Sequence, residues 1–237
     1  MIFIIITEED GVDNNIKISA IIRTKNEDQW IGHCIQSLLD NFDKPEILII
    51  DNNSKDQTVE IVNEFKEDKT LNSKDNRYTT IKTFEISKYS PGSALNLGVA
   101  KSSNENILII SAHCVINSIN KETLFKNFKN YKCFFGNQLP IYRGKKIQKR
   151  YIWSNFKDES SENLFSEQEN RYFLHNAFAF YNRKFLIENP FDENLSGKED
   201  RYWANSIINK NYKIFYDHSL SVNHHYTLNG ATWKGIG

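Results

Sequence analysis

Two short runs of branched apolar residues, EILII at 46–50 and NILII at 106–110, constrain this chain more than any other feature. Such runs, bounded by polar residues, read as strands buried on both faces, the kind found in a parallel sheet covered by helices. Residues 16–22 read as an earlier strand, after which Ile31, Cys34, Ile35, Leu38, Leu39 and Phe42 recur at helical spacing. Asp56 stands where an N-cap would open a helix carrying Val59, Val62 and Phe65, and 78–84 (from Tyr78) reads as a third strand. Pro91-Gly92 breaks the chain before a short helix over 94–101. This alternation predicts an α/β fold with a mainly parallel central sheet flanked by helices, followed by a less regular C-terminal half.

The chain has 237 residues, enough for one large domain over 1–237, and 39% hydrophobic with 13% aromatic content excludes a disordered chain. Its 30 basic and 30 acidic side chains cancel, which argues against a nucleic-acid partner held by bulk phosphate attraction. The apolar start, Met1 to Ile6, is far short of the roughly 20 residues of a membrane span and lacks a basic flank, so no export is expected. Three cysteines without a CxxC spacing suggest neither a disulfide framework nor a zinc knuckle, and a reducing cytoplasm suits them.

In the second half, RGKKIQKR at 143–150 reads either as a solvated face or as a patch for anionic lipid headgroups or an acidic acceptor. Residues 198–209 read as a helix with Glu199 and Asp200 in its first turn, followed by a strand at 213–216 and a terminal strand around Val222. In open α/β sheets ligands gather outside the carboxyl ends of the strands. Three polar loops should therefore converge: Arg23 to Glu27, Asp51 to Asp56, and Ser111 to Cys114. No GxGxxG follows the first strand and no GxxxxGK[ST] exists, so the dinucleotide and P-loop classes recede.

Four stretches in order resemble the inverting family 2 glycosyltransferases, which have the GT-A (Rossmann-like) fold. ISAIIRTKNE (18–27) is similar to that family's opening strand and loop, and LIIDNNSKDQT (48–58) to its second strand and D-x-x-S-x-D turn. PGSALNLGVAKSSNENILIISAHC (91–114) resembles the stretch from the donor-contacting helix to the metal-motif strand, and GKEDRYWA (197–204) the late acidic pair. The resemblance implies a donor-binding half over about 16–115 and an acceptor and catalytic half over about 116–237.

It also implies roles. Asp51, Asn52, Ser54 and Asp56 would read the base and ribose of a nucleotide-sugar donor, although a capped turn explains the same residue types. Arg23 would meet phosphate or form a surface ion pair, with Thr24, Asn26 and Glu27 bordering the same pocket. Gly92 would let backbone approach the donor, and Asn96 belongs to the same stretch, unless this is a plain helix start. Asp200 would be the general base, assisted by Glu199, unless the pair only stabilises the helix dipole. His175, Asn176 and Trp203 would line the acceptor side, though Trp203 and His175 also suit a core.

This chain departs from the family at the metal motif, where Ser111-Ala112-His113-Cys114 replaces Asp-x-Asp. A site using His113 with His224 or His225 would favour manganese or another transition ion over magnesium, with Arg23 and Lys25 sharing the charge compensation; the alternatives are no metal, direct histidine contact with phosphate, or structural histidines. Strand alternation lets only one of His224 and His225 face the cleft. Cys114 reads as a small buried residue. The expected function is sugar transfer from a nucleotide-sugar to a hydroxyl of a polysaccharide or glycolipid precursor, at the cytoplasmic side with peripheral membrane contact. The alternatives are a non-catalytic nucleotide-sugar or glycan-binding module and, less well supported, a sugar nucleotidyltransferase.

Overall fold

Side chains alternate across a strand, so a sheet covered on both faces divides its apolar residues between two layers. In the computed structural model, which describes residues 16–68, 79–228 and 230–233, this division organises the whole chain. The first half alternates β1 (Ile18–Thr24), α1 (Ile31–Asn41), β2 (Glu46–Asp51), α2 (Thr58–Glu67), β3 (Thr80–Glu85), α3 (Pro91–Lys101) and β4 (Asn106–Ser111). Then follow β5 (Cys114–Ser118), α4 (Lys121–Asn130), β6 (Cys133–Tyr142), β7 (Lys145–Lys146), β8 (Ser161–Glu162), β9 (Phe165–Ser166), β10 (Arg171–Tyr172), β11 (Phe178–Asn182), α5 (Arg183–Glu188), α6 (Glu199–Asn209) and β12 (Ile214–His225).

The main sheet runs β3-β2-β1-β4-β11-β6-β12-β5, with β7 on β6 and β8 on β12. Strands β1 to β4 are parallel, β11 is antiparallel to both its neighbours, and β6 and β12 are parallel to each other. Ile21, Leu48 and Ile50 pack on Ala94, Leu95 and Val99 of α3, whereas Ala20, Ile22, Ile47 and Ile49 pack with Ile31, Cys34, Ile35, Leu38 and Val62. Helix α3 lies close to β1 because residue 98 is glycine: a Cβ there would stand 2.5 Å from Ile21 Cγ2. The second half is more regular than its sequence suggested, since β6, β11 and β12 continue the same sheet.

Several boundaries move. The short helix expected over 94–101 starts at Pro91, because Ser90 Oγ accepts the Ser93 N–H at 3.0 Å and Ser93 Oγ accepts the Ser90 N–H at 2.8 Å, a capping box with proline just inside it. The first strand is shifted to Ile18–Thr24, and α2 opens at Thr58, with Asp56 Oδ1 accepting the Thr58 N–H at 3.0 Å from just outside the helix. The two strands expected at 213–216 and around Val222 are one strand, β12, interrupted where Asp217 Oδ1 accepts from Ser219 N and Oγ and the register shifts. Met1 to Ile6 and Tyr78 lie outside the described residues.

Cys34, Cys114 and Cys133 are free and buried, and burial pushes all three thiols up, which makes them poor nucleophiles. The basic run forms an exposed hairpin around β7, with Arg143 over the Tyr142 ring and Lys149 near Asp158 at 3.4 Å. Among the described residues no helix is long and apolar enough to cross a membrane.

Candidate active site

Parallel register puts the three polar loops side by side. Arg23 is level with Ile50 of β2 and Ser111 of β4, and Thr24 is level with Asp51. The first two loops are then laced together. Asn26 N donates to Ser54 Oγ at 2.9 Å, Asn26 Oδ1 accepts from Lys55 N at 2.7 Å, and Asn52 N donates to Thr24 O at 2.9 Å. Asn26 and Asn53 both adopt left-handed backbone with φ 53°, a conformation asparagine tolerates. Asp51 accepts from Ser54 N and Oγ at 2.9 and 2.6 Å, so Ser54 braces the turn from within. Asp56 Oδ2 accepts the Asp28 N–H at 3.1 Å; partial burial works against its charge, but the Thr58 hydroxyl and these N–H groups hold the carboxyl below its usual range.

The third loop brings histidines together. Glu27 Oε1 lies 3.2 Å from His113 Nδ1, His113 Nε2 lies 3.1 Å from His224 Nε2, and His224 Nδ1 lies 2.8 Å from Gln138 Oε1. Each imidazole thus has an oxygen at Nδ1 and the other ring at Nε2, and the 3.1 Å contact is a hydrogen bond when one of the two Nε2 atoms carries the hydrogen. Burial, then the neighbouring His113, His175 and His225, hold His224 well below its ordinary value, so it is neutral at pH 7. Glu27 Oε2 is buried without a hydrogen-bond partner. Among the described residues no group of three or more His, Cys, Asp and Glu side chains is placed to hold a metal ion, and the three histidines expected at the metal motif do not converge. His225 drops out because its ring stacks on Trp30 with centroids 4.0 Å apart, on the other side of the strand from His224.

Opposite these loops stands the start of α6. Arg23 Nη1 donates to Glu199 Oε1 at 2.8 Å and to the Pro91 carbonyl at 3.2 Å, tying the end of β1 to α3 and α6. Burial disfavours the Arg23 charge, but Glu199, Tyr89 and Asp200 outweigh it and raise its pKa. Lys198, just before α6, is held at φ 58°, a strained turn for a side-chain-bearing residue. Asp200 is 4% exposed. Its Oδ1 accepts from Arg201 N and Nη1 at 2.9 and 2.8 Å, and its Oδ2 from Arg201 Nη1 and Asn176 N at 2.7 and 3.0 Å. Asn176 thus holds Asp200 through its backbone, while its side-chain oxygen accepts from Tyr181 Oη. His175 Nδ1 accepts the Ala177 N–H at 3.1 Å, and burial, Arg201, Arg23 and His113 keep this ring neutral.

Some expected residues are used elsewhere. Trp203 belongs to the core, in ring contact with Tyr181, Phe185 and Phe191, its indole N–H donating to Asn189 O, and not to the acceptor side. At Gly92 the close approach is to protein: a Cβ would stand 2.4 Å from the Asp192 carbonyl oxygen. Asn96 is spent on the same loop, bonding Phe191 N and O and Glu193. Sequence reading missed Arg201, Gln138 and Trp30. Neighbours one apart do not usually face each other on a helix, and no motif marks the other two.

A family model described as glycosyl transferase family 2 matches residues 19–189. Among solved structures, the chain is similar to S. aureus TarS 1-349 in complex with UDP-GlcNAc, at 20% identity and TM-score 0.64, covering 93% of this chain and 61% of that one. It is similar to GalNAc-T7 with UDP, GalNAc and Mn2+, at 17% identity and TM-score 0.65, covering 92% and 45%. It is also similar to the mannosyltransferase PcManGT from Pyrobaculum calidifontis in complex with GDP-Man and Mn2+, at 15% identity and TM-score 0.63, covering 92% and 60%. At these identities the likeness is one of fold, and the chain spans less than two thirds of each of these neighbours. No curated protein matches the chain in sequence.

Proposed function

Because the chain belongs to glycosyl transferase family 2, we propose that it moves a sugar from a nucleotide-sugar donor to a hydroxyl with inversion at the anomeric carbon, Asp200 accepting the proton. Membership in an enzyme family favours this reading over a non-catalytic binding module. The observation that carries it is the Arg23–Glu199 bond of 2.8 Å, which holds the first turn of α6, and Asp200 with it, against the carboxyl ends of β1 and β4. A donor lying across Asp51, Asn52, Asp56, Thr24 and Glu27 would then present its anomeric carbon toward that turn. Solved neighbours in complex with UDP-GlcNAc and GDP-Man support a nucleoside diphosphate donor.

A carboxylate is too weak a base to ionise an alcohol in advance, but it takes the proton as charge leaves with the nucleotide. In this reading His113 and His224 would hold a divalent cation, manganese before magnesium because both ligands would be imidazoles, and such a cation would supply positive charge for a diphosphate leaving group. Arg23 supplies a second, permanent positive charge nearby. The acceptor is a polysaccharide or glycolipid precursor at the cytoplasmic membrane face, a setting in keeping with three free buried cysteines. The decisive experiment is Asp200→Asn, assayed for nucleoside diphosphate release from UDP- and GDP-sugars, with circular dichroism as the check on folding. Folded protein with kcat reduced about 10²–10⁴-fold supports the assignment, and near-normal turnover overturns it.

A further inference from the structure

Resting on the assignment of Asp200 as base, we propose that Arg201 is a latch that keeps this carboxylate out of action until its guanidinium swings to Glu169. A carboxylate offers about four lone-pair positions. Those of Asp200 are filled by the N–H groups of Arg201 and Asn176 and by Arg201 Nη1, which spans both oxygens at 2.8 and 2.7 Å. An acceptor hydroxyl has no oxygen to donate to while Nη1 stays there. A proton also moves poorly to a carboxylate whose charge a guanidinium already compensates.

The release position is built beside it. Arg201 Nε and Glu169 Oε2 are both buried without hydrogen-bond partners, 3.8 Å apart. Lys198 Nζ lies 3.7 Å from the same Glu169 oxygen. The Phe173 ring lies under the guanidinium, 4.9 Å from Cζ, a surface over which a flat group slides without losing its contact. Closing the gap to hydrogen-bond length draws Nη1 off Asp200, so the ion pair is exchanged, not lost. Glu169 precedes β10, which packs on α6 with Tyr172 N at 3.5 Å from Asn205 Oδ1. Movement of β10 against α6 therefore carries Glu169 toward or away from Arg201. Besides Arg201, the groups around Asp200 are Glu199 on its own helix, Arg23 at the end of β1, His175 and Asn176 before β11, and Tyr181 on β11.

The test is nucleoside diphosphate release from a panel of UDP- and GDP-sugars, water standing in for the acceptor, on the full chain and its variants. Glu169→Gln removes the charge that receives Arg201. Its kcat should fall about 5- to 20-fold with donor KM within twofold, as Arg201 stays on Asp200. Adding Arg201→Lys, whose ammonium cannot span both oxygens, should restore kcat to within about threefold. Unchanged kcat in Glu169→Gln, with Asp200→Asn inactive, overturns the latch and leaves the base assignment standing. Normal turnover by Asp200→Asn overturns both.

Discussion

The Nε2 atoms of His113 and His224 lie 3.1 Å apart, each ring held from behind by an oxygen on its Nδ1. Two imidazole nitrogens this close share a proton, and a cation that both could ligate would take its place. Manganese in hundredfold excess over its Kd should therefore raise the melting temperature by about 5 °C or more, and His224→Gln should abolish the rise. Differential scanning fluorimetry with and without MnCl2 decides it; an equal shift in wild type and variant would place the ion elsewhere.

His175 is neutral because its Nδ1 accepts a backbone N–H and because burial and the Arg201 and Arg23 charges oppose a proton there. The folded-state value lies below the unfolded one of about 6.5, so the unfolded chain binds the extra proton. This contribution is full above about pH 6.5 and declines as the pH falls below it. Thermal melts from pH 7.5 to 5 should show falling stability, with a shallower slope in His175→Gln; an identical slope would assign the acid loss to other groups.

Gly98→Ala should destabilise the protein although alanine is the better helix former by about 1 kcal/mol. The new methyl would stand 2.5 Å from Ile21 Cγ2, inside the buried contact between α3 and β1. A net loss of about 1–3 kcal/mol in urea denaturation is expected. A stabilised variant would mean that α3 moves off the sheet without cost.

Glu199→Gln keeps the shape of the side chain and leaves the Arg23 guanidinium, 22% exposed, without its charged partner. The cost should lie between that of a surface pair and a buried one, about 1–3 kcal/mol. If stability is unchanged, the Pro91 carbonyl and water suffice for Arg23.

Much of the fold follows from periodicity. EILII and NILII mark β2 and β4 because strands buried on both faces need apolar residues at every position, and the α1 stripe marks its own helix. The convergence of the Arg23, Asp51 and Ser111 loops follows in turn, because parallel strands in register end together. The interruption of β12 is less legible, since Asp217 and Ser219 in a run of polar residues look like a turn between two strands. Site chemistry is legible by residue type but not by partner. Asp200 and His113 stand out in the sequence as candidates, whereas their neighbours Arg201 and Gln138 are brought beside Asp200 and His224 in ways no motif marks. Trp203 looked like a sugar platform for the same reason: an indole suits a core and a binding face equally, and only the rings of Phe185 and Phe191 decide.

Strand β12 lies between β6 and β5 and carries His224, so the histidine pair depends on the twelfth and last strand of the described chain. During synthesis the earlier strands leave the ribosome with a slot open between β5 and β6. The nascent protein can shape the loops after β1, β2 and β4 well before that slot fills, yet it cannot join the two imidazoles until insertion is finished.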